Sequence, residues 1–112
     1  MTYSPSVLCE MSGINRCMAQ AESVIEVDDE RVRATRWTFR DGDETGHHVH
    51  EYDYLVVPMT SGTFTVTNDD GTTSELVQRA GVPYRGAAGT SHNVANSGGS
   101  TAVFVDVELK QG

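Results

Sequence analysis

No stretch of this 112-residue chain approaches the roughly 20 consecutive apolar residues of a membrane-spanning helix. Its first residues, MTYSPSVLCEMSGINRCMAQ, hold neither a basic leader nor a continuous apolar segment. No secretory signal is expected, and the location is expected to be cytoplasmic. Cysteine is scarce, with only Cys9 and Cys17, at a spacing that fits neither a zinc knuckle nor a redox pair. Both are expected as reduced thiols packed as small apolar groups, with a disulfide as the alternative. Basic charge is also short: 8 Lys and Arg face 16 Asp and Glu, a formal net charge of −8. That balance excludes the clustered cations a nucleic-acid partner requires. Arg31, Arg33, Arg36 and Arg40 fall together, but along one strand, where most of them are expected on a solvated face. The first twenty residues are too short for a DNA-reading helix-turn-helix.

What is present is an ordinary globular composition, 38% hydrophobic and 21% charged. The length makes one domain and suffices for a core without disulfide or metal staples. From Val24 onward, short strand-like segments alternate with turn residues. Val24–Val27 precedes the turn Asp28-Asp29-Glu30. In RVRATRWTF, Val32 and Ala34 share one face, Trp37 and Phe39 the other. His48 to Pro58 is the longest strand expected. GTFTVT puts Phe64 and Val66 together, and NDDG, Asn68 to Gly71, has hairpin chemistry. In TAVFVDVEL, Val103, Val105, Val107 and Leu109 lie on one face and Phe104, Asp106 and Glu108 on the other. About eight such strands predict a β-sandwich or barrel over residues 23–112. Residues 1–22 differ. Leu8, Met11, Ile14 and Cys17 or Met18 recur at three- and four-residue steps, which predicts a short helix, although Gly13 disfavours it. An irregular arm is the alternative.

Three of the four histidines stand in GHHVHEYDY, Gly46 to Tyr54. Alternate residues of a strand share a face, so His48 and His50 lie side by side, about 6–7 Å apart at the backbone. Two imidazoles so placed can converge on one ion. Tyr54 shares their face if the strand is regular. His47, Glu51 and Asp53 point the other way.

The spacing around these residues resembles the cupin superfamily. Its first motif sets a glycine, then five intervening residues, then His-x-His. Here Gly42 precedes His48 and His50 in that way, and Gly62 closes the motif. Its second motif is matched by Gly81, Gly89, His92 and Asn96, with Ala87 in place of a proline. The two motifs span Gly42 to Asn96, about half the chain. HEYDYLVVPMTSG and RVRATRWTF further resemble a small-cupin group linked by name to β-alanine degradation. The fold implied is all-β, a cupin-type double-stranded β-helix (jelly-roll) barrel carrying the short N-terminal helix or arm. The ligands implied are His48, His50 and His92 around a divalent metal ion. Imidazole suits Fe, Zn, Ni, Cu and Co alike, so the sequence leaves the metal open.

The chain departs from the family pattern where a Glu ligand is expected after the second His, because Tyr54 and Leu55 stand there. Tyr54 becomes the candidate catalytic residue, as a weak ligand, a hydrogen-bond partner of bound water or a substrate contact. A core tyrosine with its hydroxyl near the barrel mouth is the alternative. Three neutral ligands leave the ion's charge uncompensated and coordination positions open, which favours an anionic small-molecule ligand. Arg36, on the Val32 and Ala34 face, and Arg85 are possible carboxylate partners. The expected function is a metal-dependent enzyme acting on a small carboxylate-bearing metabolite by dioxygenase, lyase or isomerase chemistry. The alternatives are a non-catalytic metal or small-molecule binding module and an interaction or storage protein. The resemblance also implies a homodimer, since small cupins usually pair through their sheets.

Overall fold

Turn residues cut the described chain, residues 19–110 of a computed structural model, into nine strands. These are β1 (Glu22–Asp28), β2 (Val32–Phe39), β3 (His48–Val49), β4 (Asp53–Pro58), β5 (Gly62–Asn68), β6 (Thr73–Gln78), β7 (Tyr84–Gly86), β8 (Ser91–Asn96) and β9 (Ala102–Leu109). They form a five-stranded sheet, β1-β2-β9-β4-β7, and a four-stranded sheet, β3-β8-β5-β6. Neighbouring strands pair antiparallel throughout. No helix occurs among the described residues. Most of the N-terminal segment expected as a helix or arm, residues 1–18 with both cysteines, lies outside them.

The expected Asn68–Gly71 hairpin joins β5 to β6, with Gly71 at φ 87. The expected strand from His48 to Pro58 is two strands instead. β3 pairs with β8 in one sheet and β4 with β9 and β7 in the other. The chain crosses between sheets over His50 to Tyr52. No Gly or Pro marks that corner, so the apolar pattern runs through it unbroken.

Both sheets change character along their length. Phe39 and Phe104 from the five-stranded sheet meet Phe64 from the other, with ring centroids 5.0 to 5.8 Å apart. Phe39 and Phe64 are fully buried. Asn96 pins this end: its side-chain amide donates to the carbonyls of Phe39 (3.2 Å), Arg40 (3.3 Å) and Ser100 (2.7 Å). These bonds satisfy a buried amide and tie β8 to the end of β2. Two residues at a time toward the other end, β8 presents Val94 and then His92, and β9 presents Asp106 and then Glu108. The space between the sheets there is a cavity of about 810 Å3 lined by these residues.

On β2 the cavity takes the Arg33, Thr35 and Trp37 face. Arg36 is on the opposite face, exposed and paired with Glu26 at 3.0 Å. Arg85 pairs in register with Leu55 and is also exposed. Neither faces the cavity as a carboxylate partner. Among the described residues no helix is long and apolar enough to cross a membrane.

Candidate metal centre

His48 and His92 are register partners on β3 and β8, which brings their side chains together across the ladder. His50 lies just past β3, yet its backbone is fixed. Its N–H donates to the Thr90 carbonyl (2.8 Å), and its carbonyl accepts from the Gly89 N–H (2.8 Å). Gly89 makes that return with φ 88, a conformation other residues adopt only with strain. The second glycine of the second motif therefore locks His50 beside the strand that carries His92.

The three imidazoles converge. His50 Nε2 stands 3.1 Å from His48 Nε2 and 3.3 Å from His92 Nε2. An ion at the usual zinc–nitrogen bond length of about 2.0–2.1 Å spaces tetrahedral donors by about 3.3 Å. His48 Nδ1 lies 3.0 Å from the Gly46 carbonyl, which can only accept. That ring nitrogen therefore carries the proton, and the Nε2 lone pair is left to face the other two imidazoles. All three rings are kept neutral. Burial pushes His50 and His92 down to about 4, reinforced by repulsion from His48, and lowers His48 as well. Three neutral, converging nitrogen donors fit a divalent cation, and in this cavity His48, His50 and His92 are the residues able to hold one.

Tyr54 is buried on the inward face of β4 and stacks on His50, with centroids 3.8 Å apart and planes at 16°. Its ring lies across Gly86, its register partner on β7. A side chain at Gly86 would occupy the space of the Tyr54 ring. Burial and the nearby Asp106 carboxyl raise the Tyr54 pKa, so the phenol stays protonated. His47 points outward and pairs with Asp69 at 2.7 Å. Glu51 is exposed, and Asp53 is spent on accepting the Ala88 N–H at 2.8 Å.

The five-stranded sheet adds polar residues that sequence reasoning missed. Arg33 and Glu108 are register partners joined by two bonds, Nε to Oε2 at 3.0 Å and Nη2 to Oε1 at 2.7 Å. Asp106, one step along β9, is only 7% exposed, and its Oδ1 is buried without a hydrogen-bond partner among the described residues. Burial, then repulsion from Glu108, raises its pKa to about 7 against the opposing pull of Arg33. The signal was available in parity: Arg33 shares the parity of Trp37 and Phe39, and Asp106 and Glu108 share that of Phe104.

No family model matches the chain. The chain is 42% identical over 92 residues to the β-alanine degradation protein BauB of Pseudomonas aeruginosa, covering 81% of this chain and 95% of that protein. The crystal structure of a cupin domain from Bordetella pertussis is 39% identical, with a TM-score of 0.79 over 83% of this chain and 96% of that one. A Klebsiella pneumoniae protein with a double-stranded β-helix domain shares the fold at 21% identity, with a TM-score of 0.68 over 81% of this chain and 77% of its own.

Proposed function

The chain belongs to the cupin family, a small member similar to BauB, and from that premise we propose that it is a metal-dependent enzyme acting on a small carboxylate-bearing metabolite. The observation that carries this reading is the convergence of three neutral imidazoles on a cavity large enough for a metabolite. The likeness to BauB supports a substrate from amino-acid breakdown, β-alanine or a carboxylate derived from it. A divalent ion held by three neutral ligands supplies uncompensated positive charge and open positions for an anionic oxygen donor.

The chain's own residues do the rest. His48, His50 and His92 would hold the ion, and the Gly46 carbonyl fixes the His48 tautomer. Tyr54 takes the place of the usual carboxylate. Its ring orients His50, and we assign its protonated phenol to ligand contact. Phe104, Val56, Val94 and Leu76 give the cavity an apolar lining that limits water around the bound ligand.

Pairing of two copies through the outer face of the five-stranded sheet belongs to the same proposal. Val103, Val105 and Val107 of β9 alternate with the cavity residues, and Val24 and Val27 of β1 are 48% and 46% exposed. A monomeric mass in solution would remove that part alone.

The test is turnover by protein loaded in turn with iron, zinc and nickel, across a panel of amino and keto acids that includes β-alanine. Turnover that His92→Ala abolishes is the expected result. Metal uptake with no turnover anywhere in the panel would leave a binding module in place of an enzyme.

A further inference from the structure

The five-stranded sheet presents two inward rows to the cavity. Arg33, Glu108, Tyr54 and Gly86 are successive register partners in one row. Thr35, Asp106, Val56 and Tyr84 are successive partners in the next. The first row touches the metal centre through Tyr54, which stacks on His50. The second lies one pleat repeat further in, about 6–7 Å along the strands.

The charges on these rows do not balance. Arg33 is their one cation, and both of its contacts go to Glu108, whose two oxygens they occupy. Asp106 is left with no cation of its own. It is more than nine-tenths buried, lines the cavity, and holds an oxygen without a hydrogen-bond donor. A buried carboxyl in that state is costly, and a hydrogen-bond donor brought to it offsets that cost. Trp37 and Tyr84 also line the cavity, and aromatic rings favour a nearby cation.

We propose that Asp106 is the amine-recognition residue of the cavity, binding the ammonium group of a short amino carboxylate whose carboxylate end lies toward the three histidines. The position of the carboxylate end rests on the metal-centre reading above, whereas the role of Asp106 rests on its own burial and missing partner. The separation of one pleat repeat suits an amine and a carboxylate joined by a short methylene chain. With a pKa raised to about 7, Asp106 holds its proton about half the time near neutral pH and gives it up fully when a cation binds beside it. Ligand entry then replaces an uncompensated acid with a charge-assisted hydrogen bond.

The test is calorimetric titration of zinc-loaded protein with matched pairs: β-alanine against butyrate, and γ-aminobutyrate against pentanoate. The amine-bearing member of at least one pair is expected to bind about tenfold or more tightly than its isostere. Asp106→Asn keeps the shape of the side chain and is expected to erase that preference, leaving zinc uptake and isostere affinity unchanged. Equal affinity within both pairs, absence of binding by both amines, or a preference that survives Asp106→Asn would each overturn the proposal. If the protein takes up no zinc yet keeps an amine preference that depends on Asp106, the metal-centre reading fails and the role of Asp106 stands.

Discussion

The histidine end of the cavity and its Asp106 wall respond to burial in opposite directions for one physical reason. Desolvation disfavours the charged form of any group. It therefore lowers the pKa of His50 and His92 to about 4 and raises that of Asp106 to about 7. Near pH 7 the two imidazoles are therefore neutral, and the carboxyl is close to half protonated. The difference lies in what each end lacks. Three lone pairs converge and call for a cation, whereas one carboxyl stands alone and calls for a hydrogen-bond donor. Arg33 and Glu108, between them, satisfy each other and call for nothing.

The largest effect is expected from breaking the histidine end. Alanine at any one of His48, His50 or His92 should lower zinc affinity by about a hundredfold or more, because even residues behind a metal ligand are worth tenfold to a hundredfold. Competition with a chromophoric chelator reads this directly. Next comes Gly86→Ala. Its methyl group enters the space of the Tyr54 ring, and overpacking of that kind costs about 1–3 kcal/mol. Urea denaturation should show that loss, and most of it should vanish in a Tyr54→Ala background, where the ring is gone.

A pH series on metal-free protein sharpens the contrast between the two ends. For His50 and His92 the unfolded chain binds the extra protons, since the folded pKa of about 4 lies below the ordinary imidazole value of 6.5. Their contribution makes stability rise with pH from about 4 to 6.5. His48, lowered in the same direction, adds to it. For Asp106 the folded state binds the extra proton, between the ordinary carboxyl value of 3.8 and about 7. Its contribution falls as pH rises through that window. Arg33, Glu108, Tyr54 and Tyr84 surround it, and Glu108 and Arg33 act on it in opposing senses. Several imidazoles outweigh one carboxyl, so the net stability should rise between pH 4.5 and 6.5. Asp106→Asn should steepen that rise. A flat profile, or one that the variant leaves unaltered, would show that burial does not set these charges. The smallest effect is expected from Arg33→Leu, about 1 kcal/mol by denaturation, because the pair is partly exposed and Glu108 can turn to water.

The histidine end was legible in the sequence because its parts are local. His48 and His50 are two residues apart, and the Gly81-to-Asn96 spacing resembles a known motif that carries His92. The barrel class was legible for the same reason, since alternation and turn residues act within a few positions. The corner between β3 and β4 was hidden. Glu51 and Tyr52 turn the chain with ordinary residues, and parity still placed Tyr54 inward. The acid wall was hidden more deeply. Arg33 and Glu108 are 75 residues apart and meet only because β2 and β9 pair in one register. On β9 the four aliphatic side chains suggest a core face, yet the cavity takes Phe104, Asp106 and Glu108. A barrel with a functional interior puts its polar residues where alternation alone would set hydrophobic ones.

The metal content of protein expressed and purified without chelator, determined by mass spectrometry beside His92→Ala, tests the three-histidine centre most directly. The expected result is close to one divalent transition-metal ion per chain, lost in the variant while the fold persists. Trace metal in the native protein, or an ion retained by His92→Ala, would contradict it.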